Sequence, residues 1–355
     1  MKKIYFLLLS FITLGVYAQE PYYDGIDFTL PPEQLYDALQ TKLENYNTSF
    51  NYGDARDLLR YDVVDEYEHD SSKVVLLYGY DDDDNNCTTD YTRLKTGWGG
   101  QHCEYNREHV FPRSLANPGM GNTNNNYTGI VADPHNIRAC DQQMNLNRVN
   151  YRFGPGSGTA GVVVVQGENV WYPGDEFKGD IARMMMYMYV RYGDRCLPTF
   201  VGQGDTMDDN DMLELFLEWN AEDPVSYLET QRNDRLEDVY GNRNPFIDNP
   251  RLATILWGGT PAEDRWGTLD VPKHEWHESI SIYPNPATET IWVETSTENP
   301  NYSYTLYSIT GQEVLNNTMK NETKKAIPVR ELSSGTYILN IKEGNNSVNK
   351  QVIVK

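Results

Sequence analysis

The sequence predicts an α+β protein with two parts, a mixed helix-and-strand body and a small C-terminal β-sandwich. Hydrophobic residues make up 39% and charged residues 23% of its 355 residues, as in ordinary globular chains. Acidic residues are concentrated in the body, where residues 19–272 carry 20 Lys and Arg against 43 Asp and Glu. Residues 273–355 carry 8 against 9, with no Asp. We therefore place the body at 19–265, a linker at 266–279 and the sandwich at 280–355.

The N-terminus has the pattern of a signal peptide, which we place at residues 1–18. Lys2 and Lys3 precede an apolar run over residues 4–16, and Ala18 supplies a small residue at the expected cleavage position. The run is shorter than the roughly 20 residues that a transmembrane helix needs. The sequence therefore predicts export and not a membrane anchor.

Export makes disulfide bonds plausible, and the chain has four cysteines. Four cysteines allow three pairings, and the sequence alone does not choose among them. We favour Cys87–Cys103 as a short loop closure and Cys140–Cys196 as the second bond. No C-x-x-C pair is present, so a structural zinc site is not indicated.

An acidic run at residues 81–84 offers clustered oxygen ligands of the kind that Ca²⁺ prefers. It lacks the alternating ligands and central glycine of a calcium loop. A solvated loop is therefore favoured, and calcium binding stays an open alternative.

The net charge of −22 argues against a protein that coats nucleic acid by bulk electrostatics. Residues 103–154 depart from this acidity, with five Arg against four acidic residues. This window is therefore the part of the body most suited to meet phosphate.

The same window holds the residue types that phosphodiester hydrolysis requires. His109 is of the type that serves as a base at neutral pH, and Glu108 is a hard oxygen donor suited to Mg²⁺. Neighbouring residues on a regular strand point to opposite faces, so this pair can share a site only at a bend or strand end. Pro112, shortly after, makes such an end plausible.

A helix is expected over about residues 139–149, after the strand pair. It carries several asparagines, which are poor helix-interior residues because their side chains compete for backbone hydrogen bonds. At least one of them, with Asn145 the candidate, is therefore expected to have a function. A strand pair followed by a helix would form a compact metal-binding motif.

Several segments in this order resemble the bacterial endonuclease I family of ββα-metal (His-Me finger) nucleases. They are NREHVFPRS (106–114), DPHNIRACDQQMN (133–145), NRVNYRFG (147–154), GDIAR (179–183) and GNRNPFID (241–248). The resemblance implies that the body is built around a ββα-metal motif. It implies that His109 is the general base and that Glu108 and Asn145 bind Mg²⁺, for which Mn²⁺ or Ca²⁺ could substitute. It also implies little sequence preference, and products with 5′-phosphate ends.

Four further residues are candidates for substrate binding, each with a structural alternative. Arg107 and Arg148 either contact phosphate or pair with carboxylates inside the protein. His135 and Asn136 either orient the site or form a hydrogen-bonded structural pair.

The tail resembles the C-terminal sorting domain of the type IX secretion system. The segments that carry this resemblance are YPNP (283–286), LYSITGQEV (306–314), SGTY (334–337) and KQVIVK (350–355). The resemblance implies a secreted or cell-surface protein whose partner is the type IX machinery. We expect no membrane span, and a monomer, since no feature indicates an assembly.

Together these observations predict a secreted, Mg²⁺-dependent endonuclease that hydrolyses DNA, with RNA as a further candidate substrate. Two alternatives remain open. One is a surface binding or adhesion protein on an inactive nuclease fold, and the other is an extracellular phosphodiesterase acting on small esters.

Overall fold

The computed structural model describes residues 21–64, 70–207, 210–267, 280–295, 301–309, 311–320, 322–343 and 346–355. The chain divides into two units, residues 1–269 and 270–355. The predicted signal peptide and residues 268–279 of the predicted linker lie outside the described residues, so their boundaries stay predictions.

The first unit mixes helices with short antiparallel strands. Its α-helices are α1 (Pro32–Leu43), α2 (Tyr52–Leu58), α3 (Gln142–Arg148), α4 (Lys178–Tyr192), α5 (Pro198–Val201), α6 (Glu214–Glu222), α7 (Tyr227–Tyr240), α8 (Pro245–Asp248) and α9 (Arg251–Trp257). Its strands are β1 (Val63–Val64), β2 (Asp70–Val75), β3 (Thr92–Leu94), β4 (Tyr105–His109), β5 (Ile137–Asp141), β6 (Gly161–Val165) and β7 (Glu168–Tyr172). They form a three-stranded sheet in the order β1-β2-β3 and two strand pairs, β4-β5 and β6-β7.

Local sequence signals define the ends of several helices. Asn51 with Asp54 forms a capping box at the start of α2, and Ser226 with Glu229 forms another at the start of α7. Gly241 ends α7 with φ +94°, a conformation that glycine adopts without strain.

Helix α4 is buried along most of its length, and its charged residues have partners inside the protein. Arg183 Nε donates to Glu229 Oε1 over 2.7 Å, and Asp180 accepts from Arg138 over 2.8 Å. Ion pairing of this kind lets these charges remain inside the protein, although Nη2 of Arg138 has no hydrogen-bond partner among the described residues.

The β4-β5 pair is anchored to a hydrophobic cluster of the first unit. Tyr105, Ile137 and Ala139 of these strands belong to a buried cluster that also includes residues of α2, β2 and α7. The strand pair therefore has a fixed base, which matters because His109 is the last residue of β4.

The second unit is a β-sandwich, as predicted. Its strands are β8 (Ile280–Tyr283), β9 (Thr290–Thr295), β10 (Asn301–Ser308), β11 (Glu313–Lys320), β12 (Lys324–Pro328), β13 (Gly335–Glu343) and β14 (Asn346–Val354). One sheet has the order β11-β10-β13-β14 and the other β12-β9-β8. Both sheets contribute to one core, for example through Ile291 of β9 and Leu339 of β13, which are fully buried.

Two structural predictions need correction. The predicted helix at 139–149 begins only at Gln142, because residues 137–141 pair with β4 as strand β5. The Cys87–Cys103 disulfide is confirmed, but Cys140 and Cys196 are free and buried, so the second predicted bond is wrong. Each free thiol packs in the interior as a small apolar group.

Side chains of the acidic run at residues 81–84 accept hydrogen bonds from neighbouring threonines. Asp82 accepts from the backbone and hydroxyl of Thr92, and Asp84 accepts from the hydroxyl of Thr89.

In the part of the chain that the structure describes, no helix has the length and apolar character needed to cross a membrane.

Candidate active site

The candidate site is built from β4, β5 and α3. The two strands are antiparallel, with Glu108 opposite Arg138 and His109 opposite Ile137. Helix α3 begins directly after β5, so the strand pair and the helix form one continuous ββα motif. This is the order of elements that the sequence predicted.

A side-chain clamp fixes the chain where it leaves β4. The Asn136 amide is fully buried and makes two hydrogen bonds with the backbone of Phe111. Its Oδ1 accepts from the Phe111 N–H over 2.7 Å, and its Nδ2 donates to the Phe111 carbonyl over 3.1 Å. His109 is thereby held at a strand end, the position at which adjacent residues can share a site.

Asp141 fixes the start of helix α3. Its Oδ1 accepts from the N–H groups of Gln143 and Met144, over 2.8 and 3.0 Å, which satisfies donors that a helix start leaves unpaired. Its Oδ2 accepts from Arg93 over 2.6 Å. The cap sets where the helix begins, and so where Asn145 lies.

A cleft of about 730 Å³ lies over the motif, and Glu108, His109 and Asn145 all line it. The Nδ2 of Asn145 donates to the carbonyl of Arg107 over 3.3 Å, directly beside Glu108. This bond orients the amide and leaves its Oδ1 available as a ligand oxygen. The structure therefore brings together the three residues predicted to form the catalytic centre.

The hydrogen bond made by His109 defines which of its nitrogens can accept a proton. Nε2 lies 2.8 Å from the Val131 carbonyl, which only accepts, so Nε2 must donate. The Nδ1 atom is then the unprotonated nitrogen, and the ring stacks on Tyr52 with centroids 5.3 Å apart. Burial lowers the pKa of His109 to about 4, so the imidazole is neutral near pH 7.

Glu108 is a buried carboxylate with weak partners. Its Oε1 lies 3.5 Å from both the Tyr78 hydroxyl and Arg148 Nε, and no hydrogen bond to its Oε2 is found among the described residues. Burial raises the pKa of Glu108 to about 7 because little nearby charge compensates for the lost solvent. An added cation would supply that charge.

The donor set fits a hard divalent cation. A carboxylate oxygen of Glu108 and the amide oxygen of Asn145 are the ligand types that Mg²⁺ and Mn²⁺ take, together with several waters. The weak pairing of Glu108 supports the same assignment, since a buried carboxylate is otherwise expected to have strong hydrogen bonds.

Two arginines supply positive charge to the cleft. The Arg107 guanidinium lies 3.6 Å from the Tyr52 ring centroid, and its Nη1 donates to the Tyr52 carbonyl. Arg113 donates to the Gly121 carbonyl over 2.6 Å. Arg107 was among the predicted substrate contacts and Arg113 was not, although Arg113 lies in the same NREHVFPRS segment.

The other three predicted substrate contacts lie inside the fold. Arg148 is fully buried beneath Glu108, and its Nη2 donates to the Val110 carbonyl over 2.9 Å. His135 is buried against Tyr187, and its Nε2 lies 3.0 Å from Asn242 Oδ1. Neither these two nor Asn136 line the cleft, so their geometry corresponds to the structural alternatives and not to substrate contacts.

Comparison with protein families gives two matches, one in each unit. The family described as Endonuclease I matches residues 32–251. The family described as Secretion system C-terminal sorting domain matches residues 281–355.

Several curated relatives are named as nucleases. The chain is 34% identical to the extracellular ribonuclease of Bacillus amyloliquefaciens, over 59% of this chain and 70% of that protein. It is 32% identical to the extracellular ribonuclease of Bacillus subtilis (strain 168), over 67% and 78%. It is 30% identical to an extracellular deoxyribonuclease of Aeromonas hydrophila, over 34% and 52%.

Proposed function

The chain belongs to the endonuclease I family and is a nuclease, and from this premise we propose that it hydrolyses phosphodiester bonds of both DNA and RNA with one divalent cation. Its C-terminal unit is a secretion sorting domain, so the protein is secreted or held at the cell surface. We propose the type IX machinery as the export partner. One observation carries the catalytic proposal: His109, whose Nε2 donates to the Val131 carbonyl and whose Nδ1 is therefore the unprotonated nitrogen, lines the same cleft as Glu108 and Asn145.

In this mechanism His109 is the general base. Its Nδ1 takes a proton from water as the water oxygen bonds to phosphorus, and the P–O3′ bond breaks on the opposite side. The Val131 carbonyl, which accepts from Nε2, holds the ring in the required tautomer and stabilises the imidazolium that forms. The stacked Tyr52 ring limits rotation of the imidazole.

Glu108 and Asn145 would hold the cation, with Mg²⁺ as the proposed ion and Mn²⁺ or Ca²⁺ as substitutes. When bound, a divalent cation neutralises charge on the phosphate and on the departing 3′ oxygen. Arg107 and Arg113 would contact phosphate oxygens from the side of the cleft, where arginine is suited to fork two oxygens.

Because water is the nucleophile, the sugar 2′-hydroxyl has no part in the reaction. DNA and RNA should both be cut, and both should yield 5′-phosphate and 3′-hydroxyl ends. The names of the relatives, which include ribonucleases and a deoxyribonuclease, support this tolerance of the sugar.

End-group analysis tests the proposal directly. Plasmid DNA, RNA and 2′-O-methyl RNA are digested with Mg²⁺ and with chelator, and the termini are identified by mass spectrometry. We expect 5′-phosphate ends from all three substrates and no cutting in chelator. A 2′,3′-cyclic phosphate from RNA, or resistance of 2′-O-methyl RNA alone, would show that the 2′-hydroxyl attacks instead.

The same assay, with bis(p-nitrophenyl) phosphate as an additional small substrate, separates the two alternatives. An adhesion protein on an inactive fold would give no products with any divalent cation. An esterase for small substrates would hydrolyse bis(p-nitrophenyl) phosphate and leave the polymers intact.

A further inference from the structure

The end of helix α3 places two aliphatic side chains in the polar cleft. Leu146 is 58% exposed and Val149 is 62% exposed, and both line the cleft that holds Glu108 and His109. Val149 directly follows Arg148, the last helical residue, so the pair lies together at the C-terminal end of α3. The two residues that pack α3 onto the protein are Met144 and Arg148, so the fold does not need the aliphatic pair.

The backbone of Val149 is strained. Its φ of +53° and ψ of −113° lie in a region that L-residues avoid, and a β-branched residue there is a true outlier. Its N–H donates to the Asn145 carbonyl over 3.1 Å, which ties the conformation to the metal-ligand helix. Asn or Gly would adopt a positive φ more easily. Strain that holds an apolar side chain in a solvent-filled cleft points to a function for that side chain.

The rest of the cleft wall carries groups suited to bind nucleic acid. Arg107 and Arg113 supply the charge that phosphate oxygens require. Among the described residues that line the cleft, Tyr52 is the one aromatic side chain, and its ring already stacks on His109 and Arg107. A platform for stacking an unpaired base is therefore not offered, whereas an aliphatic contact is.

We infer that Leu146 and Val149 form a wedge that enters a groove of duplex nucleic acid beside the scissile phosphate and presses a base step open. This inference rests on the proposed function. Aliphatic side chains act on duplexes in this way because they pack against sugar and base edges and partly unstack neighbouring bases.

A wedge would make the enzyme prefer certain base steps without forming any base-specific hydrogen bond. Pyrimidine–purine steps such as TA and CA/TG open more easily than other steps. Cuts in duplex DNA should therefore be enriched at these steps, by roughly three- to tenfold over random cutting.

The test compares cut-site patterns of the full chain and of a Leu146→Gln/Val149→Asn variant. Gln keeps helix propensity, and Asn tolerates a positive φ, so folding should be preserved. Partial digests of duplex DNA are sequenced at their ends. The wild type should show the enrichment, and the variant should lose most of it and cut duplex roughly ten- to a hundredfold more slowly.

Val164→Ser provides the matched control, since Val164 is 66% exposed on β6 and does not line the cleft. It should keep both the rate and the pattern. An enrichment unchanged in the wedge variant, or absent from the wild type, would overturn the wedge and leave the proposed function intact. A wild type that cuts no nucleic acid with any divalent cation would instead overturn the proposed function.

Discussion

Burial acts in opposite directions on the neighbouring residues Glu108 and His109. It raises the pKa of Glu108 to about 7 and lowers the pKa of His109 to about 4, because it disfavours the charged form of each. The imidazole is thereby kept neutral, as a base must be. The carboxylate is left short of positive charge, which the proposed cation would provide.

His135 shows that residue type alone does not identify a catalytic histidine. It shares its type with His109, but it is enclosed by Tyr187 and Asn242 and does not reach the cleft. The sequence left a structural role open for it, and no local pattern could choose, because Asn242 and Tyr187 are distant in the chain.

Burial of His135 predicts a pH-dependent loss of stability. Burial lowers the pKa of His135 from 6.5 to about 3, so as pH falls below 6.5 the unfolded chain takes up this proton first. The free energy of unfolding that depends on a neutral His135 is therefore fully present above pH 6.5 and is lost progressively down to about pH 3. Between pH 7 and 5 the wild type should lose about 2 kcal/mol more unfolding free energy than His135→Gln, measured by urea denaturation. Equal losses in the two proteins would contradict this account.

At the scale of elements, the ββα motif was predictable in order but not in its boundaries. The closely spaced Glu108, His109 and Pro112 indicated a strand end, and β4 does end at His109. The start of α3 was misplaced because residues 137–141 have no pattern that excludes a helix. Their pairing with β4, about 30 residues earlier, decides their conformation.

The Asn136 clamp should matter for stability as well as for geometry. Replacing it by Ala removes both hydrogen bonds to Phe111 and leaves buried backbone groups unpaired, so unfolding free energy should fall by about 2–4 kcal/mol. Asn147→Ala is the control, since that side chain is exposed on α3 and should change stability by less than about 0.5 kcal/mol. Denaturant melts compare the two, and similar small losses would show that the clamp is dispensable.

At the scale of the whole molecule, the two units have separate cores and separate family matches. A chain limited to residues 19–269 should therefore fold and cut plasmid DNA within about twofold of the full chain. Circular dichroism and plasmid relaxation provide the measurements. Loss of folding in the shortened chain would mean that the sorting unit also stabilises the nuclease.

The acidic body predicts that affinity for nucleic acid depends only weakly on salt concentration. Arg107 and Arg113 are the proposed phosphate contacts. With two contacts, a plot of log affinity for nucleic acid against log salt concentration should have a slope near −2. KM should therefore rise roughly tenfold between 50 and 200 mM salt. Arg113→Gln should flatten the slope by about one. A loss of affinity of a thousandfold or more over this range of salt would indicate that a much larger basic surface than these two arginines contacts phosphate.

The division into a nuclease body and a sandwich was easier to predict from the sequence than the side-chain contacts beneath the site. Ordered motifs and the charge contrast indicated the nuclease body and the sandwich. Arg148 under Glu108, and the free Cys140 and Cys196, depend on which residues of distant segments meet in the core. Spacing along one chain does not contain that information.

In the proposed catalytic centre, Glu108 and Asn145 hold one divalent cation while His109 activates water beside it. The most direct measurement is Mn²⁺ binding by calorimetry, paired with plasmid cutting, for the wild type and three variants. The wild type should bind one ion, and Glu108→Gln and Asn145→Ala should bind it at least roughly tenfold more weakly. His109→Ala should bind it normally and cut roughly a hundred- to ten-thousandfold more slowly. Unchanged binding in the first two variants, or wild-type cutting by His109→Ala, would contradict the account.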